Sequence, residues 1–414
     1  MRVKVIVIGG GAAGMMAAIT SAKYGNEVII LEKTSSLGNK IKITGKGRCN
    51  LTFDGDIEDF KRNIVKNDKF MYSSFYNFDN KDLVAYFESL GVQTKVERGA
   101  RVFPVSDNAG EIVKALINEI KKYHIRVEYH TCVDELKVLD GRIEAVITKD
   151  DREFHCDKCI IATGGSSFPS TGSSGDGFRL ARSIGHKIID IVPGLVPLRS
   201  KDSICKELQG LSLKNISFKL KDEDKVIYSD FGELLFAHFG ITGPVVLSAS
   251  SKLNRIDNLE DKLRNQQIIA SIDLKPALDF ETLDKRVCRD FEKYSNKEFK
   301  NSLNDLLPQK MIPVVIKLSG IDGSMKVHQI SKEMRKKLVD VIKNINIAIS
   351  GFMPLDIAII TCGGVDVKDV NPKSMESKIV SGVYFAGEVL DVDAYTGGYN
   401  LQIAFSTAVA AGKD

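Results

Sequence analysis

The feature that most constrains this chain is its opening: an apolar run, a glycine turn and one acidic residue in a fixed order. Val3 to Ile8 is apolar, and Gly9-Gly10-Gly11-Ala12-Ala13-Gly14 satisfies G-x-G-x-x-G. A helix-favouring stretch follows to about Tyr24, Gly25 is placed to cap it, and a second apolar run, Val28 to Leu31, ends at Glu32. Gly9 permits the tight turn, Gly11 lets backbone approach a pyrophosphate, and Gly14 lets helix and strand pack closely. The helix start, with Ala13 in it, offers unpaired N–H groups and a positive dipole end to phosphate. Glu32, 18 residues beyond Gly14, falls where a carboxylate accepts hydrogen bonds from adenosine ribose hydroxyls. Together these parts predict a Rossmann-type dinucleotide site; the rival is a ligand-free strand-to-helix turn.

A length of 414 residues predicts two or three domains. The first ~190 residues read as α/β with an inserted meander: a helix over Asn108 to Tyr123, then strands over Arg126 to Tyr129, Cys132 to Val138 and Arg142 to Thr148. Asp140-Gly141 marks the last hairpin. From Pro193 the pattern turns to short strands, and Phe280 to Leu307 and Lys326 to Lys343 read as charged helices separated by Pro308 and Pro313. Strands over Ile357 to Thr361 and Val383 to Ala386, each before a Gly-rich loop, and a helix over Leu401 to Ala411 end the pattern. The prediction is an α/β chain: a discontinuous Rossmann-type domain at 1–192 and 353–414, an inserted β-barrel-like domain at 193–275 and 344–352, and a helical cap at 276–343.

Composition excludes several classes. A net charge of +4 from 58 basic and 54 acidic residues gives no case for a nucleic-acid partner. No apolar stretch approaches the ~20 residues that span a bilayer, and the first apolar run is too short for a signal peptide, so no membrane partner is expected. Seven scattered cysteines suit a reducing compartment, predicting a cytoplasmic protein. Cys156 and Cys159 form a lone C-x-x-C whose second member begins an apolar run, and the six histidines lack ligand spacing; no metal site is expected.

Further blocks carry a family resemblance. Asn39 to Thr52 (N-K-I-K-I-T-G-K-G-R-C-N-L-T) is similar to the signature G-R-K-x-x-x-S-G-G-G-R-C-N-x-T of the BaiN/YhiN-like family. That family lies within the flavoproteins with two dinucleotide-binding motifs. Gly99 to Ser106, Gly232 to Pro244, Thr361 to Val365 and Gly382 to Phe405 supply further matches in order along nearly the whole chain. Asn39 stands where the family has Arg, Lys46 where it has Gly, and Ala237 where it has Thr.

The resemblance implies non-covalent FAD and a set of contacts. Lys33, Asn39, Gly47 and Asn50 join the expected contacts of the leading loop. Lys40 and Arg48 would partly neutralise the pyrophosphate, unless they form a solvated basic loop. Thr163-Gly164 resembles the segment that passes the cofactor, and Val133 offers backbone to the adenine. Gly387-Glu388 would reach the ribityl chain, with Asp391 or Asp393 as second choices. Asn400-Leu401 begins the last helix, whose N–H groups would face the flavin N1 and O2 edge; Asn400 also reads as a plain N-cap. Cys49 lacks the second cysteine of a redox pair, leaving packing or a cofactor contact.

For catalysis the candidates are His238, as acid or substrate anchor or else a core histidine, and Arg101, as anion binder or structural ion pair. Tyr395 and Tyr399 are proton donors or walls of the site. The resemblance implies NAD(P)H-linked reduction of a carbonyl-conjugated C=C in a small-molecule substrate. No second complete G-x-G-x-x-G is present, so a nicotinamide would bind transiently. The alternatives are an amine or aminoketone oxidase, and an FAD-bound tRNA-modifying or regulatory protein. The sequence leaves the oligomeric state open.

Overall fold

The computed structural model describes residues 2–413, and the chain divides into two compact units. One comprises the residues up to Gly194 together with those from Pro354 onward; the other is Leu195–Met353.

In the first unit, buried apolar runs build most of a parallel sheet, with the charged, less buried strand Arg126–Glu128 at one edge. Its strands are β1 (Lys4–Ile8), β2 (Glu27–Leu31), β3 (Arg126–Glu128), β4 (Lys158–Ile161) and β5 (Val383–Phe385). They lie in the order 3-2-1-4-5 with every neighbouring pair parallel, the order of a Rossmann fold. Ile8 pairs with Leu31 and Ile161, so β1, β2 and β4 end level. The connection reverses direction beside β1, and ligands of such sheets bind outside the carboxyl ends at that point.

Three helices position this edge: α1 (Ala12–Lys23), α2 (Ala109–Lys122) and α3 (Tyr399–Lys413). Every residue of α1 from Ala13 to Ser21 is buried, because the helix is covered by the sheet and by α3. The α1–α3 approach is close: a Cβ on Gly412 would lie 2.6 Å from the Ala17 carbonyl oxygen. Helix α2 is amphipathic, burying Ile112, Val113, Leu116 and Ile120, and the Asn108 side chain caps it by accepting the Gly110 N–H at 2.8 Å. The meander runs Val133–Leu139, Arg142–Thr148 and Glu153–His155, antiparallel throughout.

The second unit holds a seven-stranded antiparallel sheet. Its order is Ile345–Ala348, Ile268–Asp273, Ser212–Asp222, Lys225–Ala237, Gly240–Thr242, Leu198–Arg199 and Gly351–Phe352. Its two edge strands are consecutive in sequence, separated only by Ile349-Ser350, yet no ladder joins them among the described residues. The helices Phe280–Lys293, Ile312–Ser319 and Lys332–Lys343 do not stand apart as a cap. Leu283, Val287, Val315 and Leu338 share one core with Phe218, Leu220, Ala270 and Ile272 of the sheet. Pro313 begins a helix instead of breaking one, in the first turn, where its missing N–H has no partner to lose.

Candidate cofactor site

The glycine turn is built by contact as well as by conformation. Gly9 takes φ +98°, and a Cβ there would lie 2.7 Å from the Ala162 carbonyl oxygen and 3.0 Å from Thr163 Cα. A Cβ on Gly14 would reach 1.8 Å from the Gly9 carbonyl oxygen, so only glycine lets α1 start against β1. Around Gly11 nothing lies within 4 Å of a Cβ position, which leaves the side open where a pyrophosphate would approach. Gly11 caps α1 without a side-chain acceptor, so the leading N–H groups of the helix keep their capacity for an anion. Glu32 is buried, and its carboxylate accepts the Gly10 N–H and the Thr34 N–H, each at 2.7 Å. A carboxylate has about four acceptor positions, so about two remain for ribose hydroxyls.

The basic residues after Glu32 behave otherwise. The Lys33 ammonium is 2.5 Å from Asp176 and also bonds Ser174. Lys40 donates to Glu388 at 2.8 Å and to Ser167 at 2.7 Å. Arg48 pairs with Glu97 and, at 2.6 Å, with Asp107, its guanidinium lying 4.2 Å from the centre of the Phe103 ring. These pairs hold Glu97 and Asp107 below the usual carboxylate range, the Arg48 bond coming first for Glu97 and the Lys95 bond first for Asp107. All three cations therefore already have a carboxylate partner, and neither a solvated loop nor a set of free phosphate neutralisers describes them. Asn39 ties its own loop, accepting from Ser36 at 2.6 Å and donating to Thr34 at 3.0 Å. Gly47 takes φ +85° beside it.

Residues distant in sequence close the cluster. A Cβ on Gly387 would lie 2.8 Å from Ala13 Cβ, placing the end of β5 against the start of α1. The Gly387 N–H donates to Thr407 of α3 at 2.9 Å. Glu388 accepts from Lys40, from the Thr361 N–H at 2.7 Å and from Ser167 at 3.2 Å, filling about three of four positions. Thr361 in turn accepts the N–H groups of Ser166 and Ser167, at 2.8 and 3.1 Å. Ser167 was not expected here, nor was Thr361 as a partner of Glu388, and no local pattern marks the contact. Thr163 touches the glycine turn, Gly164 turns away at φ +74°, and the Val133 carbonyl accepts from Arg179 at 3.1 Å.

The start of α3 corrects one expectation. The helix begins at Tyr399, so Asn400 lies inside its first turn and is no N-cap. Its amide instead clamps the preceding backbone, accepting from the Ala394 N–H at 3.0 Å and donating to the Ala394 carbonyl at 2.8 Å. Leu401 is partly buried beside it. Asn50, its amide nitrogen toward the Thr52 carbonyl (3.1 Å), accepts the Gly398 N–H at 3.0 Å, which ties the leading loop to α3. Cys49 is fully buried and its thiol is pushed up to about 12 by that burial, so it is packing with no thiolate to offer. Burial likewise pushes Cys156 up to about 12 and raises Cys159. Among the described residues no group of histidines, cysteines and acids is arranged to hold a metal, and no helix is long and apolar enough to cross a membrane.

The catalytic candidates separate. Tyr399 lies on the buried aromatic cluster of Phe53, Phe60 and Phe75, its ring centre 4.6 Å from that of Phe53. Burial raises its phenol above the ordinary value, which favours a wall over a proton donor. Tyr395 donates its N–H to the Asn63 carbonyl at 2.9 Å and accepts from Asn400 at 3.3 Å. Arg101 is exposed, donates to the Arg98 carbonyl at 3.0 Å and makes no ion pair among the described residues, so the structural-pair reading fails. His238 is exposed in a two-residue turn between the strands Lys225–Ala237 and Gly240–Thr242, so it is no core histidine.

A dinucleotide fits the first unit on three observations: the open face of Gly11, the uncapped start of α1, and an orphan acceptor at Asp391. Asp391 is 2% exposed; its Oδ2 meets Lys66 at 2.8 Å and Asn67 at 3.3 Å, whereas the buried Oδ1 has no partner among the described residues. A buried acceptor without a donor is costly unless a ligand or water supplies one.

Comparison with known proteins agrees with this geometry. The family model of the HI0933-like protein Rossmann domain matches residues 3–414. A 3-dehydro-bile acid delta(4,6)-reductase of Clostridium scindens is 31% identical over 419 residues, covering 98% of this chain and 97% of the relative. A ribosomal RNA dihydrouridine synthase of Haemophilus influenzae is 31% identical over 410 residues, covering 98% of this chain and 96% of the relative. Among solved structures, a 3-ketosteroid-delta4-(5alpha)-dehydrogenase from Rhodococcus jostii RHA1 has a similar fold, with a TM-score of 0.52 at 17% identity, covering 100% of this chain and 95% of the other.

Proposed function

The chain belongs to the HI0933-like Rossmann family of FAD-dependent oxidoreductases, and from that premise we propose that it reduces a C=C bond conjugated to a carbonyl, with NAD(P)H as electron donor. One observation carries the reading. The bile-acid reductase and the dihydrouridine synthase, equally identical to this chain, are named for reactions on one type of bond. A 3-oxo diene and a uracil ring both hold a C=C beside a carbonyl, and both accept hydride at the carbon β to it.

Bound FAD supplies the hydride chemistry at N5. The chain's own residues hold and orient. The start of α1 takes the pyrophosphate through N–H groups and dipole, since Lys33, Lys40 and Arg48 are engaged elsewhere. Glu32 has acceptor capacity left for the adenosine ribose, and Glu388 has about one position left for a ribityl hydroxyl. The positive end of α3 suits negative charge on the ring. His238, exposed in its turn, is the proposed acid for the α-carbon.

The substrate we favour is a small-molecule enone. The second reading is a uridine in ribosomal RNA, favoured by the dihydrouridine synthase relative; the overall charge balance does not decide between them. An absorbance scan of purified protein, then anaerobic reduction with NADH or NADPH, tests the electron donor. Reoxidation by a 3-oxo-Δ4 steroid supports the first substrate, and reoxidation only by ribosomal RNA fragments selects the second. A flavin bleached by amines and not by nicotinamides would replace both with an oxidase. His238→Ala should slow turnover without releasing flavin, and unchanged turnover would remove His238 from the mechanism.

A further inference from the structure

The segment between β4 and the helix Asp176–Ser183 has features that neither the fold nor the reaction requires. It leaves the sheet at Thr163 beside the glycine turn and returns to its own start, the Gly175 N–H donating to the Gly165 carbonyl at 3.0 Å. Residues 165–175 thus form an Ω-loop, a compact excursion with joined ends. Inside it the only regular element is the short turn Pro169–Thr171, entered through Phe168 at φ +52°, and Pro169 and Ser170 are exposed.

The loop lies over the ribose end of the site. A Cβ on Gly172 would come within 3.2 Å of Thr34, 3.7 Å of Lys33 and 3.9 Å of the Glu32 carboxylate. Two lysines from the segment after β2 hold it. Lys33 grips the closing end through Ser174 and Asp176, and Lys40 grips the opening end through Ser167. Both grips are side-chain contacts of partly exposed groups: Lys33 and Asp176 keep 26% and 27% of their side-chain exposure, and Lys40 keeps 22%. Burial, the largest single influence, pushes the Asp176 carboxylate up, but the Lys33 bond and charge, together with Ser174 and Arg179, more than offset it and hold the group below its ordinary value.

We propose that this Ω-loop is a strap over the adenosine half of the cofactor site, latched by the Lys33–Asp176 pair, and that unlatching it is the step that admits and releases FAD. The inference rests on the reading that FAD occupies this site. A strap sets exchange rates more than affinity, because opening lowers the barrier in both directions. A latch made of a partly exposed ion pair also weakens with salt.

The test follows flavin fluorescence as FAD leaves the holoenzyme on dilution, and as it rebinds. Asp176→Asn should speed release about fivefold and speed rebinding as well, with the dissociation constant moving less than either rate. Release from the wild type should accelerate with ionic strength, and release from the variant should not. The swapped pair Lys33→Glu with Asp176→Lys should restore slow release, which guards against a general loosening of the fold. Equal release rates in wild type and Asp176→Asn, both retaining FAD, overturn the strap alone. A wild type that takes up no FAD overturns the cofactor reading instead.

Discussion

The glycine turn at residues 9–14 and the basic stretch at residues 33–48 border the same site, yet different constraints shaped them. In the turn Gly9 and Gly14 answer to backbone a few residues away or just past the adjacent strand: Gly14 to Gly9, Gly9 to Ala162 and Thr163. In the basic stretch three cations answer to carboxylates far along the chain, Lys33 to Asp176, Lys40 to Glu388 and Arg48 to Glu97 and Asp107. Backbone geometry therefore shapes the turn, and the surrounding charges tie the flanking segments together.

Four single variants, one of them extended to a double variant, sharpen or break this contrast. The largest effect belongs to Gly14→Ala, whose methyl group meets the Gly9 carbonyl oxygen at 1.8 Å. It should cost about 3 kcal/mol or more and abolish FAD retention, read by thermal unfolding and by the flavin absorbance of the purified protein. Glu32→Ala strands two backbone N–H groups and should cost about 2 kcal/mol while weakening FAD binding. Full flavin occupancy in that variant would remove Glu32 from the ribose site. Lys40→Met leaves Glu388 without its cation and should destabilise by about 1 kcal/mol, reduced from a fully buried pair by the partial exposure of both groups. Adding Glu388→Gln should recover most of that loss; an additive double variant would return Lys40 to the role of phosphate neutraliser. Arg48→Ala is the smallest, leaving FAD affinity within about twofold by titration, since Arg48 and its partners are all partly or fully exposed and it belongs to the flanking segments. A strong, salt-dependent loss of affinity there would undo the contrast.

The same distinction explains what could be read from the sequence. The strand–turn–helix opening was legible because its glycine spacing is a local demand, and α2 was legible because apolar periodicity and the Asn108 cap lie within one segment. The hairpin at Asp140-Gly141 was equally local. The placement of Asn400 was missed by the two residues that separate the expected start, Leu401, from the observed one, Tyr399: the glycines at 397 and 398 end at the helix itself. The strand Lys225–Ala237 is longer than the short strands expected from Pro193 onward, and long-range pairing on both sides holds its last residues. The Lys40–Glu388–Ser167–Thr361 cluster joins four segments, and nothing in any one of them announces the other three. The helices at 280–343 were legible as charged, apolar-periodic helices, but their expected place as a separate cap was not, because their apolar faces share the core of the sheet.

The packing of α3 on α1 has a consequence for biosynthesis. Most of the described sequence separates helix α1 from the surface that covers it, around Gly412, and β5 is almost as distant along the chain. A nascent chain carries α1 and an incomplete sheet until those later segments emerge. Ribosome-bound chains stopped before β5 should therefore be the form that chaperones bind and proteases cut, and chains extended past α3 should be protected.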